Sequence, residues 1–197
     1  MSKVTPHLNL FRPGEAEAIT GLSAAMQRDY RHRGFLPKFV GHARFNIFDL
    51  AEMYMLKRLS DAGFWPEVFG PLAKIAATGL AFYALKMANA YEGNQADIEQ
   101  FCAISNRPEL KIFETLGLDA EVSKYLVIWA TPVLGVAEHE FSDDLNASFS
   151  EDVKGSGRAF LQQDGPVTVF NLQYLSHHLL ASGFEGKAFV RLSSAAT

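Results

Sequence analysis

Through the first half of the chain, apolar residues recur at helical spacing; in the second half they gather into short unbroken runs. Pro13 with Glu15 and Glu17 behind it marks a helix start, because proline loses no needed N–H there and acids suit the amino-terminal dipole. Ala16, Ile19 and Leu22 supply that helix with a short apolar face. Gly21 permits a tight turn, Ser23 caps a second helix running to about Arg33, and Met26 and Tyr30 form its one buried stripe. Gly34 stops it. Leu36–Phe45 then reads as a small hairpin, with Gly41 at the tip and Phe39 and Phe45 as anchors. Asn46 caps a third helix on which Phe48, Leu50, Met53, Leu56 and Leu59 repeat, and Gly63 ends it. Trp65-Pro66-Glu67 opens a fourth helix expected to reach about Ala90, and Met1–Leu10 reads as a loose lead-in.

Glu92-Gly93-Asn94 marks an expected boundary. Beyond it, Gln95–Cys102 and Pro108–Leu116 read as helices. Tyr125–Ala130 and Pro166–Phe170 read as strands, Leu172–Ala181 as a helix and Lys187–Leu192 as a closing strand. Asp143–Lys154 is polar, mixed helix and loop, and Gly155-Ser156-Gly157 a turn. The picture is a small α/β unit of about three strands.

Composition narrows this. With 48% apolar residues and 16 Phe the chain has the material for a packed core. One cysteine, Cys102, rules out an intrachain disulfide, so a reducing, cytoplasmic setting is expected, with Cys102 as a small buried apolar residue. The apolar stretch Val68–Ala90 is interrupted by Lys74 and Lys86, leaving 11 uncharged residues between them. A bilayer needs about 20, so a buried or intersubunit helix is expected and no membrane partner.

Charge changes the picture further. The chain has a net charge of −4, yet residues 1–92 carry 11 Lys/Arg against 8 Asp/Glu, and residues 93–197 carry 7 against 14. Between Ala24 and Asn46 stand five cations, Arg28, Arg31, Arg33, Lys38 and Arg44, with His32 and His42, against the single acid Asp29. A helix for the major groove followed by a wing for phosphates has this pattern.

These residues also carry a family pattern. Gly21–Pro37, GLSAAMQRDYRHRGFLP, resembles without gaps the helix-turn-helix of the MerR-type transcription regulators, roughly GVSxxTLRYYERxGLLxP. Gly21 and Ser23 match the turn and cap, Arg28 the family's arginine, Tyr30 its second aromatic, and Gly34-Phe35-Leu36-Pro37 the exit to the wing. Arg44-Phe45-Asn46 stands near the RxYS element, and Asp49-Leu50 with Leu56–Phe64 matches the third helix. The resemblance spans Glu15 to Val68 and implies a winged helix-turn-helix that binds DNA; a dimer is expected because one recognition helix reads only a few base pairs and needs a second half-site. Asp29 departs from it by replacing an aromatic, and Met26-Gln27 by replacing Thr-Leu. The family's charged coiled-coil helix and cysteine sensor loops are missing, so metal and redox sensing do not carry over.

The expectation is therefore an α+β chain in three parts: a winged helix-turn-helix over residues 10–68, a connecting or dimerisation helix over 69–92, and an acidic α/β sensor or interaction unit over 95–197. The expected function is a sequence-specific regulator binding double-stranded DNA as a homodimer, with a small-molecule or protein effector at the carboxy-terminal unit. Ser23, Ala24, Ala25 and Gln27 would approach base edges, Gln27 pairing with adenine; Arg28 and Arg31 would take phosphates, and Lys38, His42 and Arg44 the neighbouring backbone. The alternatives are a winged helix that binds an acidic protein, or an architectural, excisionase-like DNA factor. No cofactor, metal or catalytic role is expected. Glu138-His139-Glu140 lacks a ligand partner at suitable spacing, and Asp143, Asp144, Glu151 and Asp152 read as solvated surface. His177-His178 reads as one ring facing water and one facing the core. No P-loop, GxSxG, GxGxxG or HExxH element occurs.

Overall fold

The computed structural model describes residues 4–105, 107–130, 137–149, 167–182 and 187–194. It opens on strand β1 (Val4–Leu8), followed by helices α1 (Pro13–Thr20), α2 (Ala24–Arg33), α3 (Ile47–Asp61) and α4 (Pro66–Leu85). A 3-10 turn (Ala88–Ala90) leads into β2 (Tyr91–Glu92), α5 (Gln95–Ser105) and α6 (Pro108–Leu116). Then come β3 (Tyr125–Ala130), β4 (Ala137–Ser142), α7 (Leu145–Ser148), β5 (Val167–Asn171), α8 (Leu172–Ala181) and β6 (Val190–Ser194). The fold is mixed α+β with two small sheets.

Local chemistry sets the first helices. Pro13 occupies the first turn of α1, and Gly21 closes it at φ 71°, with its N–H on the Glu17 carbonyl. Ser23 Oγ accepts the Met26 N–H at 3.2 Å, and Gly34, at φ 85°, ends α2. Asn46 caps α3 reciprocally: its Oδ1 accepts from Phe48 and Asp49, while the Asp49 carboxylate accepts the Asn46 N–H at 2.9 Å. Such a cap contributes about 1 kcal/mol.

α4 organises the core. It packs against α3 on one side and α8 on another, and Ala73, Ala76, Ala77, Ala81 and Ala84 are buried in those contacts. Their small size is what allows two helices to approach it closely. A Cβ at Gly79 would stand 3.1 Å from Leu172 Cδ1 and 3.3 Å from the Ser123 carbonyl. This helix ends at Leu85, short of the expected Ala90, and has the length and hydropathy to cross a bilayer, but most of its apolar window is buried inside the fold.

The sheets correct several expectations. The lead-in is strand β1, antiparallel to β6 from Val4↔Ser194 to Leu8↔Val190. β2 lies parallel on the other edge of β6 and ends at Glu92, so the first sheet takes strands from both sides of the boundary expected at Glu92-Gly93-Asn94. The closing strand therefore joins both chain ends to the middle and leaves the other strands, which form their own antiparallel sheet in the order β4-β3-β5. Alternating burial in β1 is masked in sequence by Pro6 and His7, whose polarity and missing N–H suit an edge strand. The hairpin expected over Leu36–Phe45 does not form. Phe45 instead bridges to Phe11, the two exchanging N–H···O bonds at 2.8 and 2.9 Å, and Phe39 stacks edge-on against Phe45. The segment between Phe39 and Phe45 is anchored by its aromatic rings and has no strand partner of its own.

Other residues also depart from their expected places. His177 and His178 are both exposed, because Leu172, Ser176 and Leu179 carry the buried face of α8. Cys102 is half-buried rather than buried. Asp143 and Asp144 are exposed, as expected of solvated surface, and from there Asp144 caps α7 and Asp143 accepts the Lys124 N–H. Glu151, Asp152 and Gly155-Ser156-Gly157 lie outside the described residues.

Gly93 seals the junction of the first sheet. It takes φ 155°, and a Cβ there would stand 2.8 Å from the Leu192 carbonyl oxygen, a backbone atom that has no rotamer to escape into. Gly93→Ala is expected to cost about 1–3 kcal/mol, read as a lower urea midpoint. An unchanged midpoint would contradict this close approach.

Candidate nucleic-acid interface

Helix α2 is rotated by its buried side chains. Tyr30 is buried edge-on to Phe35, with ring centroids 5.7 Å apart, and Gln27 is wholly enclosed. Gln27 Nε2 donates to the Pro13 carbonyl at 3.0 Å and the Leu22 carbonyl at 2.8 Å. One amide thus ties the start of α1, the turn and α2 together. Gln27 is therefore not a base-reading residue: its position, one helical turn before Tyr30, places it on the inward face.

With that phase set, Ala24, Arg28 and Arg31 follow at i, i+4 and i+7 along one outward strip. They line a groove of about 380 Å³ whose opposite wall is Phe39, Gly41, His42 and Ala43, with Pro13 at its end. No acid stands in that wall. Arg28 and His42 are exposed. Arg31 is half-buried, its guanidinium 5.8 Å from the Phe45 ring centroid, a contact worth about 0.5–1 kcal/mol that steadies the stem.

The other face of α2 is spent internally. Arg33 pairs with Asp29 at 3.4 Å, one turn away, and also with Glu67 on α4. Asp29 is thereby turned from the groove and answered by its own helix. Arg28, Arg31, Lys38, His42 and Arg44 form no ion pair among the described residues. Exposed pairs stabilise little, so the relevant consequence is their sorting: neutralised charge on one face, bare cations on the other.

The remaining expected residues are distributed as follows. Ser23 is half-buried and serves as the cap. Ala25 is exposed but outside the groove wall. The Ala24 N–H is held by Glu17 Oε2 at 2.9 Å, so the leading end of α2 carries an acid of its own. Lys38 and Arg44 bracket the Phe39–Ala43 wall; Lys38 is exposed, and Arg44 Nη1 donates to the Ala43 carbonyl at 3.1 Å. Sequence reasoning missed Pro13 as a groove residue, and with it exposed Arg12 beside it. The signal was present in the cation directly before the helix-starting proline.

No protein-family model matches the chain, and no curated protein is similar enough to count as a match.

Because Gln27 holds two backbone carbonyls from inside the fold, Gln27→Ala is expected to destabilise the protein by about 1–3 kcal/mol. Chemical denaturation measures this directly; a variant as stable as the wild type would mean the amide is not the tie described.

Proposed function

We propose that the chain is a sequence-specific, DNA-binding transcriptional regulator of the MerR-like winged helix-turn-helix type, acting in the cytoplasm as a homodimer on duplex DNA. The observation that carries the reading is the groove of Arg28, Arg31 and His42, which has no acid in its wall and lies on the α2 face opposite the Asp29–Arg33 pair. In it α2 is the helix that enters the major groove, and the Lys38–Arg44 loop, which forms no hairpin, takes the place of a wing along the neighbouring backbone. The three-residue turn Gly21–Ser23 between α1 and α2 suits that motif. Arg28, Arg31, Lys38, His42 and Arg44 take phosphates, and Ala24 and Ala25 permit close approach without a polar side chain.

Twofold pairing gives such a short helix two half-sites to read. Trp65 at the cap of α4 and Val68 and Ile75 on its first half are large exposed apolar side chains that suit contact with a second copy. The acidic second half stays off DNA and is the place for an effector or protein partner.

One observation favours a second reading, the architectural factor. With Gln27 buried and Glu17 on the Ala24 N–H, the leading end of α2 offers few groups for base edges, whereas the phosphate-facing cations are intact. Binding governed by shape and phosphates is the outcome of such a balance.

Fluorescence anisotropy with random duplex tests both. With about six phosphate contacts per dimer, affinity should fall about 10³-fold between about 50 and 200 mM salt. Arg28→Ala with Arg31→Ala should remove most of the binding and flatten the salt slope. Salt-insensitive binding, or none, overturns the nucleic-acid reading and leaves the acidic-protein partner. Footprinting then separates the rest: a discrete palindrome supports the regulator, and broad A·T-rich protection the architectural factor.

A further inference from the structure

A second cavity, of about 630 Å³, lies behind α2 on the side away from the basic groove, between the segment Gly34–Pro37, helix α3 and the first half of α4. Phe35, Pro37, Pro66 and Pro71 make much of its wall apolar. Two side chains of opposite charge face it from different helices, Glu52 on α3 and Lys74 on α4. They feel one another electrostatically, yet neither forms an ion pair or hydrogen bond with the other or with any described residue. Glu67, the remaining acid in the wall, is already held by Arg33.

The packing of α3 on α4 explains why the two charges stay apart. Both helices are fixed by a continuous core, with Leu50, Met53 and Tyr54 buried around Glu52, and Ala73 and Ala76 around Lys74. Burial pushes the Glu52 carboxyl up to about 6, outweighing the pull of Lys74, and Asp49 one turn earlier adds to the rise. A carboxylate partly removed from water with no donor is costly unless something supplies one. An ammonium alone would satisfy Glu52 but be repelled by Lys74; a carboxylate alone would do the reverse.

The geometry points to a binding site for a small zwitterion with an apolar body, of the amino-acid class, its ammonium on Glu52 and its carboxylate on Lys74. The apolar body rests on Phe35 and the prolines, in an arrangement of mostly apolar wall and few convergent polar groups that suits small-molecule sites. Its occupant touches the segment in which α2 ends. This site is separate from the nucleic-acid groove and does not depend on DNA being the partner of that groove.

The test is isothermal titration calorimetry of the full chain with L-phenylalanine and two half-ligands, L-phenylalaninamide as the cation and 3-phenylpropionate as the anion. L-Phenylalanine is expected to bind best, and Glu52→Gln and Lys74→Met each to weaken it about tenfold or more, as loss of one charge-assisted hydrogen bond does. Phenylalaninamide should bind Lys74→Met at least as well as the wild type, because the repelling ammonium is gone, and 3-phenylpropionate should do the same with Glu52→Gln. These two responses also show that each variant keeps its fold. Affinity for L-phenylalanine should fall as pH drops through about 6, where Glu52, facing Lys74 across the cavity and Asp49 on its own helix, takes up its proton; the wall's other acid, Glu67, is paired with Arg33. No heat with L-phenylalanine, equal affinity in both variants, or a half-ligand that binds as tightly as the zwitterion would overturn the proposal.

Discussion

The helical phase of α2 is the constraint on which the rest depends. Gln27 and Tyr30 are drawn inward, one by two backbone carbonyls and the other by Phe35, and a helix cannot turn one face in without turning the other out. Ala24, Arg28 and Arg31 must then share an outer strip, while Asp29 and Arg33 fall on the other side, where Arg33 also meets Glu67 of α4. A rotation of one residue would put Ala25, Asp29 and His32 on that strip in place of Ala24, Arg28 and Arg31, setting an acid where Arg28 now stands. The basic groove is thus a consequence of core packing as much as of composition.

A second constraint ties the two oppositely charged halves together. α4, lined with alanines, lets α3 and α8 approach it from different sides, and β6 carries the chain's end back between β1 and β2. Ion pairs cross the same junction: Lys187 reaches Glu15 and the Leu10 carbonyl, and Arg191 reaches Glu92. Lys187 also lies 4.5 Å from the centre of the Phe11 ring. Anything bound by the acidic half would therefore act on a core shared with α1 and α3.

Where residues interact with near neighbours in the chain, the sequence was easy to read. Pro13, Gly21, Ser23, Gly34 and Asn46 act within a few residues of themselves, and the helix ends they signal are where they were expected. Long-range pairing was not visible. β1 contains Pro6 and His7 and pairs with residues 190–194, which no local pattern reveals. The hairpin failed for a related reason: Gly41 is a turn residue, at φ 85°, but Phe45 found its strand partner in Phe11 rather than within its own loop. At the groove, Arg28 and Arg31 were legible as unneutralised cations, with His42 beside them. Gln27 was not, since a polar residue at an inward position looks like a surface one until its hydrogen-bond partners are known. Glu52 and Lys74 lie 22 positions apart, and only tertiary packing brings them to one cavity.

The central claim, that α2 presents one face to a polyanion and keeps the other for the fold, is tested most directly by mapping backbone amide chemical shifts as random duplex DNA is added. Shifts concentrated at Ala24, Arg28, Arg31 and the Phe39–Ala43 wall, with Asp29, Arg33 and the β4-β3-β5 sheet unmoved, are the predicted result. Shifts centred on the Asp29 and Arg33 face, or on the acidic half while the groove stays silent, would contradict it.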